Sequence, residues 1–149
     1  MLFFKISKGN HEKAFDEKMK SYEFRVEYLC NADSILFCSI CYNDAIIKLK
    51  KLKDIADEAN LAFNYSSRLD NLRSCMLNCF DSALAKEIEK ITDDLVSSQD
   101  INRFIARLQN LEDDFNSNKK YFSENGITLY NTFIECSNTL IEKYSHFFK

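Results

Sequence analysis

Residues 101–122, INRFIARLQNLEDDFNSNKKYF, carry the most regular helical pattern of the chain. Most of their apolar side chains follow one another at spacings of three or four residues: Ile101, Phe104, Leu108, Leu111 and Phe115. That spacing places them on one side of an α-helix, while Arg, Gln, Asp and Asn side chains occupy the other side. The segment therefore predicts an amphipathic helix that buries its apolar stripe against other helices.

Similar stripes lie on both sides of this segment and predict four further helices. The first covers about residues 11–30, and its stripe is Phe15, Met19, Tyr22, Val26 and Leu29. The second covers about residues 34–64, and its stripe includes Leu36, Ile40, Ile47 and Leu52. The third lies between Ser67 and Ser97, and its stripe includes Leu69, Leu72, Met76, Cys79 and Ala83. The fifth follows Gly126, and its stripe includes Tyr130, Phe133, Ser137 and Leu140.

Short polar segments separate these predicted helices. Asp33 or Ser34 is placed to cap the second helix, and Asp100 is placed to cap the fourth, which we expect to extend to Phe122. The pair Asn125–Gly126 is the clearest stop signal, because glycine readily takes the left-handed conformation that closes a helix.

The composition agrees with an all-α fold. The 149 residues include no proline and two glycines, and 46% of them are hydrophobic. A β-protein of this length needs many turn residues, which this chain lacks. We predict one domain over residues 1–149, a bundle of four to five long antiparallel helices with coiled-coil-like packing. Residues 1–33 are expected to complete the bundle or to pack across a core formed by residues 34–149.

The charge pattern excludes several classes of partner. The net charge is −3, whereas nucleic-acid-binding modules usually carry a basic excess, so we predict no nucleic-acid partner. The sequence contains no run of 18 apolar residues, so a membrane-spanning helix is not predicted. We expect a cytoplasmic protein that makes no membrane contact, with its six cysteines reduced.

Four cysteines are the candidates for a metal or redox site. Cys38 and Cys41 have the CxxC spacing, and Cys75 and Cys79 lie one helical turn apart. Four thiolates from two helices are able to hold zinc or an iron–sulfur cluster. The same residues are also ordinary small core side chains, because free cysteine is among the most often buried residue types. A metal- or redox-responsive sensor is therefore an alternative to our leading hypothesis.

No catalytic pattern is found in the sequence. His11 and His146 are the only histidines, and neither belongs to the ExxH element of a helical metal site. A glycine-rich phosphate loop and a nucleophile elbow are also missing. We therefore predict that the protein is not an enzyme and binds no cofactor.

A basic cluster lies in the second predicted helix. Lys48, Lys50, Lys51 and Lys53 fall within six residues. Such a cluster is typical either of a solvated helix face or of a surface that contacts phosphates or an anionic membrane. A peripheral membrane-surface binder that uses Lys48–Lys53 is the second alternative.

Aromatic residues at the two ends of the chain are candidates for partner binding. They are Phe3, Phe4, Phe147 and Phe148. If exposed, they form an apolar patch suited to a protein partner or to self-association. Our leading hypothesis is a non-enzymatic protein–protein interaction or scaffold module.

The fifth predicted helix carries the pair Tyr130–Asn131, within residues 129–134, and the pair Ser137–Asn138 follows seven residues later. These pairs resemble the repeated Tyr-Asn pairs of the LemA family of bacterial helical bundles. Tyr42–Asn43 and Arg68–Leu72 resemble two further family segments, although the chain lacks the family's tryptophan and proline. The resemblance covers about residues 42–149. It implies a helical bundle without established catalytic residues.

Overall fold

The computed structural model describes the backbone of residues 2–147 and the side chains of residues 11–145. The chain is 91% helical, which confirms the all-α prediction. The described part contains five α-helices and no strands: α1 Leu2–Cys30, α2 Ile35–Glu58, α3 Ala62–Ser98, α4 Ile101–Ser117 and α5 Glu124–Phe147. A 3-10 turn, Lys119–Tyr121, lies between α4 and α5.

The chain forms two compact units. Unit 1 consists of Met1–Asn31 and Ile40–Cys79, and unit 2 consists of Ala32–Ser39 and Phe80–Lys149. Helices α2 and α3 therefore each supply residues to both units, whereas α4 and α5 belong to unit 2. Within residues 2–147, no helix combines the length and the apolar character needed to cross a membrane.

The buried stripe of α1 is the one that the sequence predicts. Its five members are at most 6% exposed: Phe15, Met19, Tyr22, Val26 and Leu29. The Tyr22 hydroxyl donates a hydrogen bond to the carbonyl oxygen of Ala45, and it lies 3.6 Å from the sulfur of Met76. One buried side chain of α1 is thereby joined to both α2 and α3 within unit 1.

The stripe predicted for the first part of α2 is wrong. Leu36, Ile40 and Ile47 are more than half exposed, whereas Ile35 and Cys38 are buried. The first part of α2 carries apolar side chains on several faces, so spacing alone does not select the buried one. The cap of this helix is predicted correctly, because the Ser34 hydroxyl accepts a hydrogen bond from the Phe37 N–H at 3.3 Å.

The second predicted helix ends six residues earlier than expected, at Glu58. Asn60 has a φ of 56°, and the N–H of Leu61 donates to the Ala56 carbonyl at 2.8 Å. Leu61 is also buried, at 2% exposure. This is a Schellman ending, in which asparagine takes the left-handed position that glycine usually fills. The predicted break at Asn64–Ser67 instead lies inside α3.

The end of α3 and the start of α4 agree with prediction. Gln99 has a φ of 53°, and its N–H donates to the Leu95 carbonyl at 2.8 Å, which closes α3. The Asp100 side chain then accepts a hydrogen bond from the Arg103 N–H at 3.1 Å and caps α4.

Gly126 does not end a helix, so that prediction is wrong. The break occurs before it, at residues 118–123, and Gly126 lies in the first turn of α5 with no positive φ. The Ser123 hydroxyl accepts from the Gly126 N–H at 3.2 Å, and the Asp81 carboxylate accepts from the N–H and hydroxyl of Ser123. A Cβ at Gly126 would overlap that carboxylate. The contact with Asp81, rather than a turn, therefore favours glycine at this position.

Candidate functional site

Two helix segments in unit 1 face a common groove. They share one spacing: Lys18, Ser21, Tyr22 and Arg25 on α1, and Lys48, Lys51, Leu52 and Ile55 on α2. Each set occupies positions i, i+3, i+4 and i+7, which lie along one side of a helix. We call the cavity of about 250 Å³ between them the basic groove.

Among the side chains that the structure describes, the lining of the basic groove carries four cations and no carboxylate. The cations are Lys18, Arg25, Lys48 and Lys51. Lys48 makes one ion pair, at 3.0 Å to Asp44 one turn earlier, and both partners are well exposed. Among the side chains of residues 11–145, no ion pair involves the other three cations. Lys48 and Asp44 cancel one another's charge, so three uncompensated cations, Lys18, Arg25 and Lys51, remain in the lining of the groove.

The floor of the basic groove is more apolar than its rim. Tyr22 and Leu52 are 6% and 7% exposed, whereas Lys18, Arg25 and Lys51 are exposed. Burial raises the pKa of the Tyr22 hydroxyl to about 12, so this group is protonated and neutral at physiological pH. A floor that excludes water lowers the local dielectric response and strengthens the pull of the cations on a bound anion.

An exposed aromatic pair lies beside Arg25 on α1. The rings of Phe24 and Tyr28 meet edge to face with their centroids 5.2 Å apart. Their exposed fractions are 60% and 61%. Because Ser21 precedes Phe24 by three residues and Arg25 precedes Tyr28 by three, all four side chains are neighbours on the helix surface.

Unit 2 contains a second cavity, of about 270 Å³, with charges of both signs. Its acidic residues are Asp33, Glu87 and Asp114, and its basic residues are Lys90 and Arg107. Lys90 is ion-paired with Asp33. Arg107 lies 3.3 Å from Asp94, outside the lining. We call this cavity the mixed-charge pocket.

Glu87 is the unusual group of the mixed-charge pocket. Its Oε2 atom is buried and has no hydrogen-bond partner among the described residues. Burial raises the pKa of Glu87 to about 7, and the Asp114 carboxylate adds to that rise. A hydrogen bond from the backbone of Ile35 acts in the opposite direction. The pKa of Asp114 is itself raised by burial and by Asp113.

The four predicted cysteine ligands lie in different environments. Cys38 and Cys79 are buried, Cys41 is half-buried and Cys75 is exposed, and all four are thiols. Cys38 belongs to unit 2 and the other three belong to unit 1. Within the described residues, no group of three or more His, Cys, Asp or Glu side chains is arranged to hold a metal ion.

The other sequence candidates divide into three cases. The side chains of Phe3, Phe4, Phe147 and Phe148 lie outside the described residues. Lys48 and Lys51 of the basic cluster line the basic groove, whereas Lys53 lines a different hollow and Lys50 is exposed. The sequence reasoning missed Lys18 and Arg25, although their spacing around Tyr22 matches that of the α2 residues. It also missed Glu87.

Comparison of the chain with protein-family models, with curated proteins and with solved structures finds no match. The LemA resemblance therefore stays a prediction.

Proposed function

We propose that this chain is a non-enzymatic helical interaction module, and that unit 1 binds an anionic partner in the basic groove. The observation that carries the proposal is the concentration of four cations from two helices around one cavity whose lining has no carboxylate. The LemA resemblance, which implies a bundle without catalytic residues, agrees with such a role.

A bound anion relieves electrostatic repulsion that is present in the free protein. The unpaired cations Lys18, Arg25 and Lys51 repel one another, and water and salt ions screen that repulsion only in part. A partner that brings several negative charges replaces the mobile counter-ions and gains the entropy of their release. Binding of this kind weakens steeply as the salt concentration rises.

The groove differs from an ordinary solvated helix face in two respects. Its cations come from two helices and converge on one cavity, whereas a solvated face spreads its charges outward along one helix. It also has the buried floor formed by Tyr22 and Leu52. A partner that covers Ile55, which lines the groove and is 39% exposed, removes apolar surface from water in addition to pairing with the cations.

The proposal is tested by fluorescence anisotropy with two labelled anionic probes, an oligo-glutamate peptide and a multiply phosphorylated peptide. At low salt, about 20 mM, at least one probe binds the wild-type protein, and its affinity falls by tenfold or more near 200 mM salt. If neither probe binds at low salt, the proposal is wrong.

A matched pair of variants locates the binding. Lys48→Gln with Lys51→Gln removes two cations of the basic groove, and Lys50→Gln with Lys53→Gln removes two cations of the same helix outside it. The two variants have the same net charge. We expect the first to lose about tenfold in affinity and the second less than about twofold. Equal losses would place the binding elsewhere than in the groove.

A further inference from the structure

The charge of the basic groove restricts the anion that it binds best. Four cations line this open groove of about 250 Å³. A carboxylate brings one negative charge, whereas a phosphate monoester brings about 1.5 to 2 in a single compact group. Because Lys48 is paired with Asp44, the positive charge left to balance is about three. Two phosphate groups balance it, whereas carboxylates need three separate groups.

Both types of cation in the groove bind phosphate. Three of the four are lysines and one, Arg25, is an arginine. A lysine ammonium binds phosphate oxygens as a point charge on a flexible stem, and an arginine guanidinium binds them through paired donors.

The spread of the cations indicates more than one phosphate. Lys18 and Arg25 are seven residues apart on α1, which corresponds to about 10 Å along the helix axis. Lys48 and Lys51 are three residues apart on α2, or about 4.5 Å. One phosphate group contacts one end of this arrangement, and a ligand with two phosphate groups matches its length.

We propose that the basic groove is a binding site for a compact ligand that carries two or more phosphate groups, held by Lys18, Arg25, Lys48 and Lys51. This inference rests on the proposed function, because it names the ligand class of the same groove. Such phosphates occur on soluble metabolites and on lipid headgroups. The exposed pair Phe24–Tyr28 beside Arg25 separates the two sources, because aromatic side chains enter a lipid surface but do not contact a small soluble phosphate in the groove.

The ligand class is tested by calorimetric titration with inositol 1,4,5-trisphosphate and with an oligo-glutamate peptide of similar total charge. The trisphosphate binds at least about tenfold more tightly than the peptide. Lys18→Gln with Arg25→Gln and Lys48→Gln with Lys51→Gln each lower its affinity about tenfold, whereas Lys50→Gln with Lys53→Gln changes it less than about twofold. All variants replace side chains of helix surfaces, and circular dichroism checks that they fold.

Vesicle flotation distinguishes the source of the phosphates. Phosphatidylcholine vesicles with and without phosphatidylinositol bisphosphate present the same phosphates on a lipid surface. If binding to these vesicles exceeds binding to the free trisphosphate and is lost in Phe24→Ser with Tyr28→Ser, the phosphate-bearing ligand is a lipid headgroup. If the aromatic variant binds both forms like the wild type, the ligand is a soluble phosphate compound.

Two results overturn the inference, and they differ in what they leave standing. If oligo-glutamate binds the groove as tightly as the trisphosphate, and Lys48→Gln with Lys51→Gln weakens both, the phosphate assignment is wrong while the proposed function stands. If neither the trisphosphate nor the oligo-glutamate peptide binds, both the phosphate assignment and the proposed function are wrong.

Discussion

The two units hold cavities of nearly equal size, about 250 Å³ in unit 1 and 270 Å³ in unit 2, but their charges are organised in opposite ways. The basic groove of unit 1 has four cations and no acid in its lining. The mixed-charge pocket of unit 2 has acids and bases together, and Asp33 and Lys90 form an ion pair there.

The two cavities differ in the source of the charge that balances their charged side chains. In unit 2 it comes from side chains of the same unit, and in the basic groove it would come from a ligand. In unit 2, Asp33 and Lys90 neutralise one another, and burial raises the pKa of the two remaining carboxyl groups, Glu87 and Asp114. In the basic groove, most of the cations have no counter-ion from the described side chains. An ion pair within the cavity reduces the attraction of an external charge, whereas a cavity lined by uncompensated cations is suited to an anionic ligand.

Unit 1 also contains an internally compensated cluster, so its groove does not reflect a general excess of cations. Arg68 on α3 lies 2.9 Å from a carboxylate oxygen of Asp16 and is hydrogen-bonded to both oxygens of Glu23. Its guanidinium carbon lies 5.3 Å from the ring centroid of Tyr65. Hydrogen bonding from Arg68 lowers the pKa of Asp16 to about 2, and Lys20 adds to that effect.

The largest effect on stability is expected from removal of the Arg68 guanidinium, which balances the carboxylates of Asp16 and Glu23. Arg68→Met leaves the carboxylates of Asp16 and Glu23 without their shared partner and lowers the free energy of unfolding. Because the pKa of Asp16 is lowered in the folded state, its stabilising contribution is present above its ordinary pKa of 3.8 and is lost as the pH falls towards 2. The variant therefore shows a weaker loss of stability in acid.

Urea unfolding at pH 3 and pH 7 measures this effect. The control is Arg73→Met on the same helix, which removes an exposed arginine without a described ion pair and changes stability by less than about 0.5 kcal/mol. Equal destabilisation by the two substitutions would mean that the Arg68 cluster contributes nothing specific.

The next largest effect is expected at Glu87, the half-buried acid of unit 2. The pKa of Glu87 is raised from about 4.5 to about 7, so the folded state binds a proton more tightly than the unfolded chain. Its contribution to stability is therefore full below pH 4.5 and is lost as the pH rises through about 7. Glu87→Gln removes this dependence. At pH 8 we expect the variant to be about 1 kcal/mol more stable than the wild type, below the full linkage value because the side chain is only partly buried.

Thermal unfolding at several pH values between 5 and 8 measures how steeply the stability changes with pH. The groups that act on Glu87 are Asp114, Lys90 and Asp33, and none of them changes in this variant. Glu89→Gln, an exposed acid two residues away, is the control and keeps the wild-type slope. An unchanged slope in Glu87→Gln would show that this carboxyl group titrates normally.

The smallest effect is expected from a substitution at Gly126, which tests its close contact with Asp81 at the start of α5. In the wild type, Gly126→Ala gains helix propensity but displaces the Asp81 carboxylate from Ser123, so its net effect is near zero or destabilising. In an Asp81→Ala background the clash is gone, and the same substitution stabilises by about 0.5–1 kcal/mol. A double-mutant cycle by urea unfolding measures the coupling. Identical effects in both backgrounds would exclude the contact.

The sequence predicts helix faces well where one face alone is apolar. The stripes of α1 and α4 are predicted correctly, because polar residues occupy their other sides. The first part of α2 is predicted wrongly, because Ile35, Leu36 and Ile40 offer more than one apolar face. Only packing against other helices selects Ile35 for burial.

Helix ends were predictable where a side chain caps the backbone. Ser34 and Asp100 carry that signal and are caps in the structure. Asn60 is a weaker signal because asparagine is common within helices as well as after them, although the buried Leu61 that follows completes the motif. The prediction at Gly126 was wrong because the sequence does not distinguish a glycine in close contact with another side chain from a glycine that ends a helix.

Two of the four cations of the basic groove, Lys48 and Lys51, were identified from the sequence. The cluster Lys48–Lys53 is local and was noted, but its division into groove and non-groove lysines depends on which side of α2 faces α1. Lys18 and Arg25 are more than twenty residues away in the chain, and tertiary packing brings them to the same groove. Glu87 differs from Glu89 only in burial, which nothing in their sequence neighbourhood reveals.

The central claim is that unit 1 receives an external anion and unit 2 does not. The most direct measurement is a titration of the ¹⁵N-labelled protein with inositol 1,4,5-trisphosphate, followed by backbone amide shifts. We predict shifts at residues 18–25 of α1 and 48–55 of α2, and none at the exposed basic pair Lys119–Lys120 of unit 2. Shifts of similar size at both places would mean general attraction to positive charge and would contradict the account.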